Sequence, residues 1–359
     1  NHNAAAFATL SGRNPLKGDL ELLGNDRNDP PCLGSTLSAT LPEVRGLPTF
    51  VALPHVMYNV VQLPGQVPGF LGSAYGPFQV NTDPSAPDFR LGELELPGDM
   101  TAERLDDRAS LLAVLDGQIR IQEEVAEAIV REKAHAGLWD GGASRHPGVR
   151  SRDIYNEKAF RLLHSEAVRR AFHLTEEDPK LRDRYGRNKL GQSMILARRL
   201  VESGVRFVTV YDGQHNGQLA NWDSHENNFG RLKNDLLPPA DRAFATLIDD
   251  LANRGMLDST LVIGMGEFGR TPKINGNSGR DHWPNCYSIV LAGGGVRGGS
   301  IHGSSDKVGA YPETDAVTPG DLAATLFWKF GIDPEQEIRD LTDRPYKLAE
   351  GRPIQSLFA

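Results

Sequence analysis

A doubly wound α/β fold, with a mostly parallel sheet and helices on both faces, is predicted by three observations. Short apolar, β-branched or aromatic runs at residues 47–53, 205–211, 260–265 and 287–292 have the length and composition of buried strands. Amphipathic stretches of helical period fall at 239–255 and 318–330, with a further helix at 186–203. From residue 205 the order is strand, helix, strand, strand, helix, which suits a sheet covered on both sides.

Taken in order, the chain opens with an Ala-rich helix at 2–12, HNAAAFATLSG, whose natural stop is Gly12. Polar side chains at its front face a row of free N–H groups, so it is either a ready anion site or a plainly capped helix. Residues 13–98 are rich in Pro, Gly and Asp and read as surface excursions around one core run at 47–53. Within them, residues 68–76 (PGFLGSAYG) are a candidate entrance lining or an ordinary loop. Residues 101–135 carry Leu111, Leu115, Ile119 and Val125 near a period of 3.6, and 151–174 continues in that style. These stretches predict a helical layer, and 54–150 reads as a loop-rich and helical insertion. The arginines of 186–203 are expected on a solvated outer face. Gly293-Gly294-Gly295 lacks the Lys-Ser/Thr of a phosphate loop and reads as a tight turn.

Composition narrows the function classes. Hydrophobic residues at 39% and charged residues at 24% describe an ordinary globular protein with a sizeable core. A formal charge of −8 with no basic stripe argues against nucleic acid as a partner. Cys32 and Cys286 are the only cysteines, which excludes a disulfide framework. No apolar run approaches the roughly 20 residues of a membrane helix. The chain starts at Asn1 without a Met, and an upstream segment carrying any targeting signal is expected.

Three patches follow closely on predicted strands: Asp223 with His225, Glu267, and Asp281 with His282. Sheet topology would gather them at one edge, where α/β folds bind ligands. Carboxylates mixed with imidazoles suit Zn²⁺, Mn²⁺ or a similar borderline cation. The alternative is an ion-pair network in which Arg270 and Arg280 neutralise Glu267 and Asp281. Those arginines also have the planar donor geometry that clamps tetrahedral oxyanions. No Gly-x-Ser-x-Gly elbow supports a serine hydrolase.

Four stretches carry a family resemblance: Trp222-Asp223-Ser224-His225, Gly266-Glu267-Phe268-Gly269-Arg270-Thr271-Pro272, Gly279-Arg280-Asp281-His282-Trp283 and Ala292-Gly293-Gly294-Gly295. Together they resemble the uncharacterised sulfatase-like proteins of the alkaline phosphatase superfamily, a domain of unknown function. The likeness extends over nearly the whole chain, to the closing Gly351-Arg352-Pro353-Ile354. It implies one alkaline-phosphatase-like domain over 1–359, N-terminally incomplete, with a two-metal hydrolytic site.

By that resemblance, Asp223 and His225 match the ligand pair of one metal, and Glu267 stands where the strand-end Asp-His-Gly motif begins. His282 matches the following His ligand, with Asp281 a further candidate. Phe268 replaces the motif's His, and His2 falls where a Ser, Thr or Cys nucleophile is expected. His2 is therefore the candidate nucleophile or base, with Arg270 and Arg280 as candidate clamps, and a first-strand Asp ligand is expected upstream of residue 1. The implied protein is an exported, periplasmic metal-dependent hydrolase of small-molecule or glycan sulfate or phosphate esters. Zn²⁺ is the expected metal, with Mn²⁺ or Ca²⁺ as alternatives. The competing expectation is a non-catalytic binding or scaffold protein with a degenerate metal site.

Overall fold

The computed structural model describes residues 1–18, 22–42, 44, 47–90, 166–213 and 221–358. The predicted helix at 101–135, most of that at 151–174 and the greater part of the 54–150 insertion lie outside them. What is described is a mixed α/β protein with a small parallel sheet. Strand β1 (Phe50–Leu53) is central, flanked by β2 (Phe78–Gln79) and β3 (Phe207–Val210), both parallel to it. Phe50 pairs with Phe207, and Val51 with both Val208 and Phe78. All four residues of β1 are buried, as a parallel strand covered on both faces should be.

Alternate side chains of β1 enter different cores. Val51 and Leu53, with Val208 and Val210 of β3, pack against Ile195, Leu196 and Leu200 and against Leu247 and Leu251. Those residues belong to two helices, Lys189–Glu202 and Leu237–Asn253. Phe50, Ala52 and Phe207 face the other way, towards Cys32, Leu10 and Tyr211. On that side helix Leu33–Thr40 and helix Pro319–Lys329 share a core with Phe207, Leu261 and Ile263. Each fully buried Leu or Val contributes roughly 1.5–3 kcal/mol relative to exposure.

Helix α1 (His2–Ser11) starts where the Asn1 side chain accepts the Ala4 N–H at 3.1 Å. It ends at Gly12, whose φ of 71° is left-handed. A Cβ on Gly12 would collide with that of Ala323, so glycine both stops this helix and lets it approach helix Pro319–Lys329. The other end of α1, with His2, points away from that contact.

Two expectations are corrected. Strand β4 (Leu261–Gly264) pairs with a later strand, Val290–Gly293, and the pairing is antiparallel. The connection is not a helical crossover. It folds back as a hairpin of β5 (Gly269–Arg270) on β6 (His282–Trp283), so the chain returns as β7 (Val290–Gly293) beside its own outgoing strand, β4. Among the described residues the sheets are thus one of three parallel strands and five separate antiparallel pairs. The second correction concerns helix Lys189–Glu202: Arg198 is completely buried. Its guanidinium lies 2.8 Å from Glu177, 2.6 Å from Glu202 and 2.9 Å from Asp250, so neighbouring carboxylates replace its water. The glycine run behaves as a turn, with Gly293, Gly294 and Gly295 at φ of 72°, 56° and 82°.

Candidate metal centre

The polar loop after β3 carries Asp223 and His225, and the β5–β6 hairpin carries Glu267, Arg270, Arg280, Asp281 and His282. Backbone bonds zip the two together. Arg280 N donates to Ser224 O at 3.2 Å, Asn228 N to Ser278 O at 2.9 Å, and Asn227 N to Asn277 O at 3.1 Å. Gly279 lies so close to His225 that a Cβ there would strike the His225 carbonyl. Asn275 pins the same junction. Its Nδ2 donates to His225 O at 2.9 Å and to Asp281 Oδ1 at 3.0 Å, while its Oδ1 accepts from Asn277 N and Gly279 N.

His2 enters from the first residue of α1, far away in the chain. Its Nε2 is 3.1 Å from Asp223 Oδ2. His282 Nε2 is 3.0 Å and His225 Nε2 2.9 Å from Asp223 Oδ1, and these two nitrogens are 3.0 Å apart. One ligand atom from each of His2, Asp223 and His282 falls within 4.8 Å of the other two. Tetrahedral ligands at the usual Zn–N and Zn–O lengths would stand roughly 3.3 Å apart. The donors are of the kind a small divalent cation takes, gathered within 4.8 Å of one another.

Two candidates for direct ligation stand behind the rings instead. Glu267 Oε1 accepts from His2 Nδ1 at 2.7 Å, and Asp281 Oδ1 accepts from His225 Nδ1 at 2.8 Å. A carboxylate on one ring nitrogen fixes the ring and turns the other nitrogen towards the cluster. Phe268 closes the apolar side: its ring centre is 5.0 Å from that of His2 and 4.6 Å from that of His282.

The electrostatics follow from this crowding. Burial lowers the His2 pKa, but hydrogen bonds and charge from Asp223 and Glu267 outweigh it and raise the value to about 9. Burial likewise opposes charge on Asp223, yet hydrogen bonds from His2, His282 and Arg270 hold its carboxyl far below the usual range. Glu267 is lowered in the same way, its burial outweighed by His2 and by its own backbone N–H. Asp281 is lowered by hydrogen bonds from His225 and Asn275.

The two arginines differ. Arg270 Nη1 lies 2.6 Å from Asp223 Oδ1, inside the cluster. Arg280 is turned into its own loop, where Nη1 donates to Thr271 O at 2.6 Å and Pro272 O at 2.8 Å. His2 has its Nδ1 held by Glu267 and its Nε2 beside Asp223. Asn275 escaped the sequence reading because it signals only a turn, and Gly279 entered it only as the first residue of the run that carries Arg280, Asp281 and His282.

Fold and site together define a mixed α/β protein with a histidine–carboxylate cluster at a loop junction beyond its strands. The chain belongs to the family described as Protein of unknown function (DUF1501), whose profile matches residues 1–358. No curated protein and no solved structure matches it.

Proposed function

We propose that the protein is a metal-dependent hydrolase of sulfate or phosphate esters, related in fold and site to the alkaline phosphatase superfamily. The carrying observation is that one ligand atom from each of His2, Asp223 and His282 lies within 4.8 Å of the other two, although His2 is more than 200 residues from both in sequence. Zn²⁺ is the first choice for this N/O donor set, ahead of Mn²⁺ and Ca²⁺, because two imidazoles favour a borderline ion. Such an ion supplies a Lewis acid and an acidic water.

Each neighbouring side chain has a role in this reading. His2, Asp223 and His282 hold the cation, with His225 as an additional donor at Asp223. Glu267 and Asp281 orient the His2 and His225 rings. Phe268 keeps water from one side, and Arg280 braces the loop through its carbonyl contacts. Small-molecule and glycan esters are the substrate classes considered, and export to the periplasm is inferred from the family resemblance alone. No helix among the described residues is long and apolar enough to cross a membrane.

Elemental analysis of protein purified without chelator, followed by assay of aryl sulfate and phosphate mono- and diesters with added Zn²⁺, Mn²⁺ or Ca²⁺, tests the proposal. About one divalent ion per chain, lost in His2→Ala, is expected together with turnover of one ester class. Protein that takes up no metal and turns over none of these esters would sink it. A second reading, a non-catalytic metal-binding scaffold, is favoured by Phe268 occupying the motif position of a ligand His. Stoichiometric metal without turnover selects it.

A further inference from the structure

The Arg270 guanidinium stands at the same oxygen on which the two histidines of the loop junction converge. Its Nη1 is 2.6 Å from Asp223 Oδ1, and His225 Nε2 and His282 Nε2 approach that atom at 2.9 and 3.0 Å. Asp223 is 18% exposed and Arg270 21%, so the pair is partly shielded from water and attracts more strongly than a surface bridge. The other tethers of Arg270 are weak. Its contacts with the Arg280 and Trp222 carbonyls are both 3.4 Å, beyond the usual length of an N–H···O bond. Further support comes from the Phe268 ring, 5.6 Å from the guanidinium carbon to the ring centre, and from the charge of Glu267.

One carboxylate oxygen therefore already carries a cation where the proposed site would need another. Guanidinium has no lone pair to give and cannot become a ligand. It can only compete, by occupying Asp223 and by repelling a second positive charge.

We propose, on the basis of the metal reading above, that Arg270 is an internal competitor at this site and sets its metal affinity. In the metal-free protein it neutralises Asp223; a divalent cation must displace it from Oδ1 to bind. The weak carbonyl contacts make that displacement local, since no other strong bond of Arg270 has to break. A singly charged ion has no charge advantage over guanidinium at this carboxylate, so Na⁺ and K⁺ are excluded.

The test is calorimetric titration of Zn²⁺ into the full chain and into Arg270→Met and Arg270→Gln, with His2→Ala as the site control and circular dichroism to verify folding. Both Arg270 variants are expected to bind Zn²⁺ about tenfold more tightly than wild type, a gain that loss of a merely structural contact does not produce. Zn²⁺ uptake by the variants alone would support the proposal more strongly still. Unchanged or weaker binding by both folded variants, in a protein whose wild type binds Zn²⁺ through His2, overturns the competitor role and leaves the metal reading standing. Absence of uptake by every form overturns both.

Discussion

Two clusters of charge are buried to different degrees in this protein, and they are built on opposite principles. Around Arg198, the carboxylates of Glu177, Glu202 and Asp250 lie within 2.9 Å of one guanidinium, Arg254 Nε is 2.8 Å from Asp250, and Tyr185 donates to Asp250 at 2.9 Å. Most of these side chains project from packed helices, and the cations present have no lone pairs. Around Asp223 the partners are mostly imidazoles, carried on a loop, on the β5–β6 hairpin and on the first residue of a helix. Charge density alone does not separate the two. What separates them is donor chemistry and placement: the first cluster is closed and self-neutralising, whereas the second gathers imidazoles and a carboxylate, side chains of metal-ligating type, within 4.8 Å.

The sharpest test of that contrast removes Arg198. Arg198→Ala leaves three carboxylates around a vacated guanidinium site and is expected to cost about 3–5 kcal/mol in chemical denaturation, with Zn²⁺ affinity of the folded protein unchanged. Gly279→Ala attacks the other cluster through its backbone. The new Cβ meets the His225 carbonyl, so about 1–3 kcal/mol of stability and most Zn²⁺ binding should be lost together. Glu267→Gln is milder: the melting temperature should hold, while calorimetry should show Zn²⁺ affinity lowered about 10- to 100-fold because the His2 ring loses its ionic anchor.

The smallest effect is a pH dependence confined to the first cluster. Burial raises the Glu177 carboxyl pKa, but hydrogen bonds and charge from Arg198 and Arg199 outweigh it and leave the value below 4.5. A lowered folded-state pKa means that Glu177 contributes its full stability above the ordinary carboxyl value and loses it as pH falls through the folded value. Denaturation midpoints measured from pH 6 to pH 3 should therefore fall less steeply in Glu177→Gln than in wild type. An equal slope in both would remove Glu177 from the acid response.

The parts of this molecule written in short periods were legible in sequence. The run at 205–211 contains strand Phe207–Val210, the stretch at 239–255 contains helix Leu237–Asn253 but for its first two residues, and Gly12 ends α1 as a left-handed cap. Each depends on neighbours within one or two turns of chain. Arg198 was misjudged because an arginine in a helix is usually solvated, and nothing nearby in sequence announces Glu177 and Asp250. The return direction of Val290–Gly293 could not be read from its residues, because an apolar run fits a buried strand of either sense.

The candidate site divides along the same line. Asp223 with His225, and Asp281 with His282, are local pairs whose ligand chemistry is visible in the chain itself. That His2 stands 3.1 Å from Asp223, that Glu267 and Asp281 lie behind imidazoles, and that Arg270 rather than Arg280 reaches the carboxylate are facts of packing. Composition and period specify which donors exist and on which kind of element. Their meeting point depends on how α1 docks and how two loops zip at Gly279, contacts between distant segments that no short-range pattern encodes.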